Sequence, residues 1–254
     1  MTAPAGSGAA STVAFAARSD VGRVRTRNED VVDVDARRGW ALLADGMGGH
    51  HGGDVAARLA VDTLADRLAS GYRPGWRADA IVALLAEAVQ AANDEIRRAA
   101  ARDAALASMG TTLVAAVWAG AQVVCAHVGD SRLYRQHAGR FARLTRDHSV
   151  VQDQLDAGLI DDEQARHSPF RGMLTRGIGV DVVVTPEIAR HDARPGDRFL
   201  LCSDGLTDML RDDEIAALLA APGSPDAIAA SLVDAANRGG GRDNISVVVA
   251  LVAI

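Results

Sequence analysis

The sequence predicts an α+β fold, because its helical and strand signals are segregated along the chain. Two stretches with 3.6-residue apolar periodicity follow one another between residues 54 and 101, and short apolar runs then succeed each other through turns from residue 111 to 144. A last apolar run, Ile245-Ser-Val-Val-Val-Ala-Leu-Val252, closes the chain. Helices grouped in one stretch and strands in another favour layered α+β packing over alternating parallel βαβ units.

In chain order, residues 1–11 are small and polar and are expected to form a disordered tail. The run Trp40–Ala44 reads as the first buried strand. In Asp54–Ala69 the side chains of Ala57, Val61, Leu64 and Leu68 share a helical face, and in Asp79–Ala101 so do Ile81, Leu84, Leu85, Ala88, Ala92 and Ile96. Gly71, Pro74 and Gly75 interrupt the two, which predicts a helical hairpin. Thr111–Trp118 and Gln122–Val128 read as strands joined at Ala119-Gly120, and a further turn at Ala138-Gly139 suggests that an antiparallel meander runs to Leu144. Residues 147–179 are polar, with glycines at 158, 172, 177 and 179, and predict a mobile surface excursion. It is either a plain insertion or a flap that touches substrate. Phe199–Cys202 is another buried strand, followed by helices at Asp212–Ala221 and Pro225–Asn237.

With 254 residues, 48% of them hydrophobic, the chain suffices for one substantial core, so residues 1–254 are expected to form a single domain. A net charge of −6 offers no basic field for a polyanion, which argues against nucleic acid as the main partner. Cys125 and Cys202 lie in apolar runs and read as small buried hydrophobes, consistent with a reducing cytoplasm. Neither a signal peptide nor a membrane span is expected.

The chemistry begins at the strand ends. The run Trp40–Ala44 leads into Asp45-Gly46-Met47-Gly48-Gly49-His50, a carboxylate followed by a turn whose carbonyls can approach a cation. The pattern returns at Ser203-Asp204-Gly205, at Val128-Gly129-Asp130 and at Arg242-Asp243-Asn244, which enters the last strand. One such aspartate is a turn residue; several at the mouths of core strands repel one another unless cations neutralise them. Oxygen ligands select magnesium or manganese over zinc. The glycine-rich turn lacks the Gly-Lys-Ser/Thr of a nucleotide loop.

Taken together, Arg25-Thr-Arg-Asn-Glu-Asp30, Asp45–His50, Met109-Gly-Thr-Thr112, Val128–Arg132, Leu144-Thr-Arg-Asp-His-Ser149, Ser203–Asp208 and Arg242–Asn244 resemble the protein phosphatase 2C (PPM) family in its compact bacterial form. The motifs run in order over residues 20 to 254. The resemblance implies a four-layer αββα sandwich, two antiparallel sheets flanked by helices. It also implies hydrolysis of phosphoserine and phosphothreonine on proteins by a water activated between two Mn2+ or Mg2+ ions. Asp45 would bridge the metals, the carbonyl of Gly46 would bind one, Asp204 and Asp243 would complete the shell of the other, and Asp30 would hold a metal-bound water. Asp130 and Asp208 match positions that take a third metal in bacterial members. Arg25 matches the phosphate-gripping residue, suited by its planar fork, with Arg23 and Arg27 as neighbours that could take its place.

The resemblance leaves the leaving-group acid open: Met47 stands where eukaryotic relatives have a histidine, a water or a group of the 147–179 excursion could protonate the leaving oxygen, and His50 and His51 are nearby but less favoured. Ser131 and Ser203 have no histidine base at a telling spacing and are not expected to be nucleophiles. Gly52 and Gly53 replace small non-glycine residues of relatives and suggest a loosened helix entry. The implied partners are phosphorylated proteins, a serine/threonine kinase or its substrates, in the cytoplasm. A phosphatase of a small phosphorylated metabolite and a silent phosphopeptide-binding module are the alternatives; a silent module would be expected to lose the metal aspartates.

Overall fold

Two antiparallel sheets lie back to back in the computed structural model, which describes residues 13–48, 52–73 and 75–253. The first sheet runs, in spatial order, β1 (Val13–Asp20), β11 (Ile245–Val252), β10 (Arg198–Cys202), β7 (Arg132–His137) and β8 (Arg140–Arg143). The second runs β2 (Asp30–Asp35), β3 (Trp40–Met47), β5 (Leu113–Ala119), β6 (Gln122–Val128) and β9 (Glu187–Asp192), with the short β4 (Gly110–Thr111) paired to the end of β3. Helices α1 (Gly53–Gly71) and α2 (Ala78–Arg102) cover the second sheet; α5 (Asp204–Thr207), α6 (Asp212–Ala220) and α7 (Pro225–Arg238) cover the first. This is the αββα sandwich that the resemblance implied.

The continuous apolar runs follow from this layering. Along β3, Leu42 and Ala44 pack under α1 and α2, whereas Ala41 and Leu43 face the other sheet. Along β11, Val247 and Val249 meet the helices, and Val248 and Ala250 meet the opposing sheet. Both faces are dry, so period-two alternation disappears and only an unbroken apolar stretch remains. The strands that sequence reading did not single out, β1, β2 and β9, are all sheet edges and carry such sequences as Asp-Val-Val-Asp-Val-Asp.

One expectation is corrected. The strands of residues 111–144 do not form a continuous meander: β5–β6 and β7–β8 are hairpins in different sheets. Gly129-Asp130-Ser131 carries the chain from one sheet to the other, and Gly129 adopts φ +99° there, where a Cβ would lie 2.7 Å from the Thr112 side chain. The predicted excursion holds α3 (Val150–Asp156), capped by Ser149, and α4 (Asp162–Arg166), closed by a capping box between Asp161 and Gln164. Arg146 bonds Asp153 and Asp156 of the first helix. Residues 1–11, His50 and His51 lie outside the described residues.

Candidate active site

The interior strands converge at one end of the sandwich. Asp45 lies near the end of β3, Asp130 follows β6, Asp204 follows β10 as the first residue of α5, and Asp243 precedes β11. These four carboxylates line one cavity of about 440 Å³, together with Arg25, Glu29, Gly46, Met47, Thr112 and Asn244. Asp30 opens β2 directly opposite Asp45 and is buried. The Ser203 hydroxyl donates to its Oδ2 at 2.8 Å, while Oδ1 is buried with no hydrogen-bond partner among the described residues.

Burial, with repulsion from neighbouring carboxylates, disfavours ionisation of Asp30, Asp45, Asp130 and Asp204. Asp45 is held well above the usual carboxylate range by desolvation and by Asp30, Asp204, Asp130 and Asp243. Asp204 is raised likewise by burial and then by Asp130, Asp208, Asp243 and Asp30. Burial pushes Asp30 up to about 6 despite hydroxyl donors from Ser246 and Ser203, and Asp130 up to about 7 with Asp147 adding to the effect. Such a set of oxygens, with a buried unpartnered one among them, fits divalent cations: charge of the opposite sign is what the cluster lacks.

The surrounding motifs hold these carboxylates in place. Thr112 brackets the Asp45 backbone, its N–H donating to the Asp45 carbonyl at 2.9 Å and its hydroxyl accepting from the Asp45 N–H at 3.1 Å. Asn244 accepts from the Glu29 amide and donates to the carbonyls of Val21 and Arg27, fastening the loop that carries Arg25. Gly46 and Gly205 sit where backbones nearly touch: a Cβ would meet the Gly53 carbonyl oxygen at 2.1 Å and the Asn244 carbonyl oxygen at 2.0 Å. Gly53 itself leaves room for Gly46 and Glu29, so the glycines entering α1 serve close packing rather than the looseness expected of them.

Arg25 lies at the rim, its Nη2 2.6 Å from Asp243 Oδ2. Arg27 also lines the cavity but is paired with Asp54, and Arg23 packs beside Gly241 instead. Asp208 is exposed and pairs with Arg171 of the excursion at 2.5 Å; with Asp130 and Asp204 it lines a second cavity of about 640 Å³ beneath α3 and α4. Asp147 lines the same second cavity and receives a two-pronged hydrogen bond from Arg132. Glu29, Thr112, Ser203 and Asn244 were missed as site residues by sequence reasoning. All lie inside the motifs quoted above, but three are neutral and give no charge signal.

His127, His148 and Glu187 also approach one another within 4.8 Å. The hydrogen bonds set His148 against a cation: its Nδ1 accepts from the Gly129 amide, leaving the proton on Nε2 towards Glu187, while His127 Nε2 donates to the Arg146 carbonyl. Burial keeps both imidazoles neutral, His148 down to about 4. Their role is structural, joining the Asp130 turn to the excursion.

Comparison with known proteins agrees with this geometry. The family model described as protein phosphatase 2C matches residues 22–234. The serine/threonine protein phosphatase PstP of Mycobacterium tuberculosis is 41% identical over 236 residues, covering 93% of this chain but 44% of that protein, so the chain spans less than half of that relative. The serine/threonine phosphatase stp of Listeria innocua is 38% identical over 242 residues, 91% of this chain and 93% of its own. Among solved structures, the catalytic domain of PstP in complex with two manganese ions superposes with a TM-score of 0.86 at 40% identity, over 95% of this chain and 99% of that one.

Proposed function

The chain belongs to the protein phosphatase 2C family, and from that premise we propose that it is a metal-dependent phosphatase that hydrolyses phosphoserine and phosphothreonine esters on proteins. The observation that carries this reading is the meeting of Asp30, Asp45, Asp130, Asp204 and Asp243, from five separate chain segments, in and beneath one cleft. A phosphate dianion would be repelled from that floor unless cations covered it. The relatives' names as serine/threonine phosphatases, and the two manganese ions bound to PstP, support the same reading.

In this proposal Asp45, the Gly46 carbonyl, Asp204 and Asp243 hold two Mn2+ or Mg2+ ions, Asp30 orients solvent beside them, and Asp130 with Asp208 offers a third position. When bound, the metals screen the phosphate charge and bring a water's pKa towards neutrality. The chain's own groups do the rest. Arg25 turns its fork to two phosphate oxygens and fixes the ester against the cleft floor, which aligns phosphorus for attack by water from the side opposite the seryl or threonyl oxygen. Thr112, Ser203 and Asn244 hold the carboxylate backbone and the Arg25 loop rigid, so little reorganisation accompanies the reaction. Phosphorylated proteins are the partners; a serine/threonine kinase or its targets would supply them in the cytoplasm. Residues 1–254 act in this reading as one phosphatase domain, with residues 147–179 as a flap over the second cavity.

The test is phosphate release by purified protein from a phosphothreonine peptide, a phosphotyrosine peptide and sugar phosphates, with Mn2+ or Mg2+ and with chelator. Metal-dependent release from the phosphothreonine peptide is expected, falling at least about a hundredfold in Asp204→Asn and Asp243→Asn. Activity that survives chelation or these substitutions defeats the metal mechanism, and preference for a sugar phosphate defeats the protein substrate.

A further inference from the structure

Beyond the flap, residues 179–184 form a loop whose construction is inverted. Its backbone is tied down by polar side chains of α2. The Gly179 amide donates to Asn93 Oδ1 at 2.7 Å, Asn93 Nδ2 donates to the carbonyls of Asp181 and Val182, Arg97 donates to the Val180 carbonyl, and the Val184 amide donates to Gln90 Oε1. Val184 is buried in the core, but the side chains of Val180, Val182 and Val183 face solvent, 55%, 68% and 71% exposed. A loop held by its backbone bonds and by Val184 in the core has no need of three further apolar side chains in water, where polar residues would serve.

The position of the loop supplies the reason. Ile178 exchanges both backbone hydrogen bonds with Thr111, and Thr111 is the cross-strand partner of Gly46. Two strand spacings of about 4.8 Å therefore put Ile178 about 10 Å from Gly46, in a fixed register. The apolar surface reaches the cleft at Val180: Met47 lines the cavity, and its Cε and the Cγ2 of Val180 both lie over Gly177, which has no side chain to separate them.

We propose that Val180, Val182 and Val183 form a specificity subsite that receives an apolar side chain flanking the phosphorylated residue of a protein substrate. The inference rests on the reading of a phosphoprotein as substrate. With about 3.3 Å per residue of extended chain, the subsite takes a residue about three to six positions from the phosphoserine or phosphothreonine. Holding the backbone rigid while leaving the valines bare presents a preformed apolar contact, so little ordering cost attends its use.

The test compares kcat/KM for two phosphothreonine peptides that differ only in carrying leucine or aspartate at those flanking positions. The readout is the ratio of the two within one enzyme, so that a loss of metal or of folded protein cancels. The wild-type protein is expected to favour the leucine peptide by about five- to tenfold, the range of one partly buried aliphatic contact on an open surface. The double variant Val182→Lys, Val183→Lys is expected to invert the preference towards the aspartate peptide, a gain that misfolding cannot produce. Equal turnover of both peptides by the wild type, or an unchanged ratio in the variant, overturns the subsite alone. If the ratio is unchanged and the variant instead abolishes a concentration-dependent dimer, the valines cover a second copy of the chain and the subsite is overturned. Hydrolysis of p-nitrophenyl phosphate with none of either peptide defeats the protein-substrate reading, and the subsite with it.

Discussion

Asp30 and Asp45 face each other across the β2–β3 ladder, an arrangement in which two like charges on neighbouring strands destabilise the sheet. At the rim, Arg25 meets the same cluster from outside: its ion pair with Asp243 is largely exposed and is worth no more than about 1 kcal/mol to the fold. That makes Arg25 separable from stability. Arg25→Ala is expected to raise KM for a phosphothreonine peptide about tenfold or more, through loss of a two-pronged charged contact, while titration calorimetry finds Mn2+ bound as before. An unchanged KM would move the phosphate grip to another residue, and Arg27, which lines the same cavity beside Asp54, would be the next to test. The aspartates were legible in the sequence because each interrupts or follows an apolar strand. Their neutral supports were not: Ser203 bonds Asp30 from 173 positions away, a relation that no local pattern encodes.

At the scale of elements, the interior strands β3, β5, β6, β10 and β11 were readable because burial on both faces writes an unbroken apolar run. The edge strands β1, β2 and β9 were not, since a wet edge tolerates charge. The passage of the chain between sheets at Gly129 was invisible for another reason: a hairpin signal fixes which strands are neighbours in sequence and says nothing about which sheet the next one joins. Helix α2 was predicted from its apolar face, yet Asn93 sits fully buried within it and makes three hydrogen bonds to the 179–182 backbone. Asn93→Ala would strand the Gly179 amide and the Asp181 carbonyl, the Val182 carbonyl keeping its bond from Gln90, at a cost of about 2–3 kcal/mol. A lower urea midpoint with an unchanged denaturant slope is the expected result; no change in midpoint would mean that the loop is not tied to the cooperative fold.

For the whole molecule, the four layers act as a frame that forces carboxylates together at one end of the sandwich, and the metal-free chain bears that strain. A carboxylate whose native pKa lies above its unfolded value near 4 binds more protons folded than unfolded between the two. The stability it lends is complete below about pH 4 and is lost as pH rises through the native value, about 6 for Asp30 and about 7 for Asp130, with Asp45 and Asp204 shifted in the same direction. Metal-free protein should therefore melt several degrees lower at pH 7.5 than at pH 5.5, the reverse of a chain whose acids are held by salt bridges. Divalent cations bind the ionised cluster, so stabilisation by Mn2+ should grow over the same interval, because each proton removed makes room for positive charge. Asp45→Asn, which removes the carboxylate that Asp30, Asp204, Asp130 and Asp243 all oppose, should flatten the pH dependence of the metal-free chain and raise its melting temperature at pH 7.5 while weakening the response to Mn2+. Thermal melts across this range, with chelator and with Mn2+, decide the matter. A metal-free melting temperature that rises with pH would mean that the cluster is relieved from within the protein, and the case for cations as its natural counter-charge would fail.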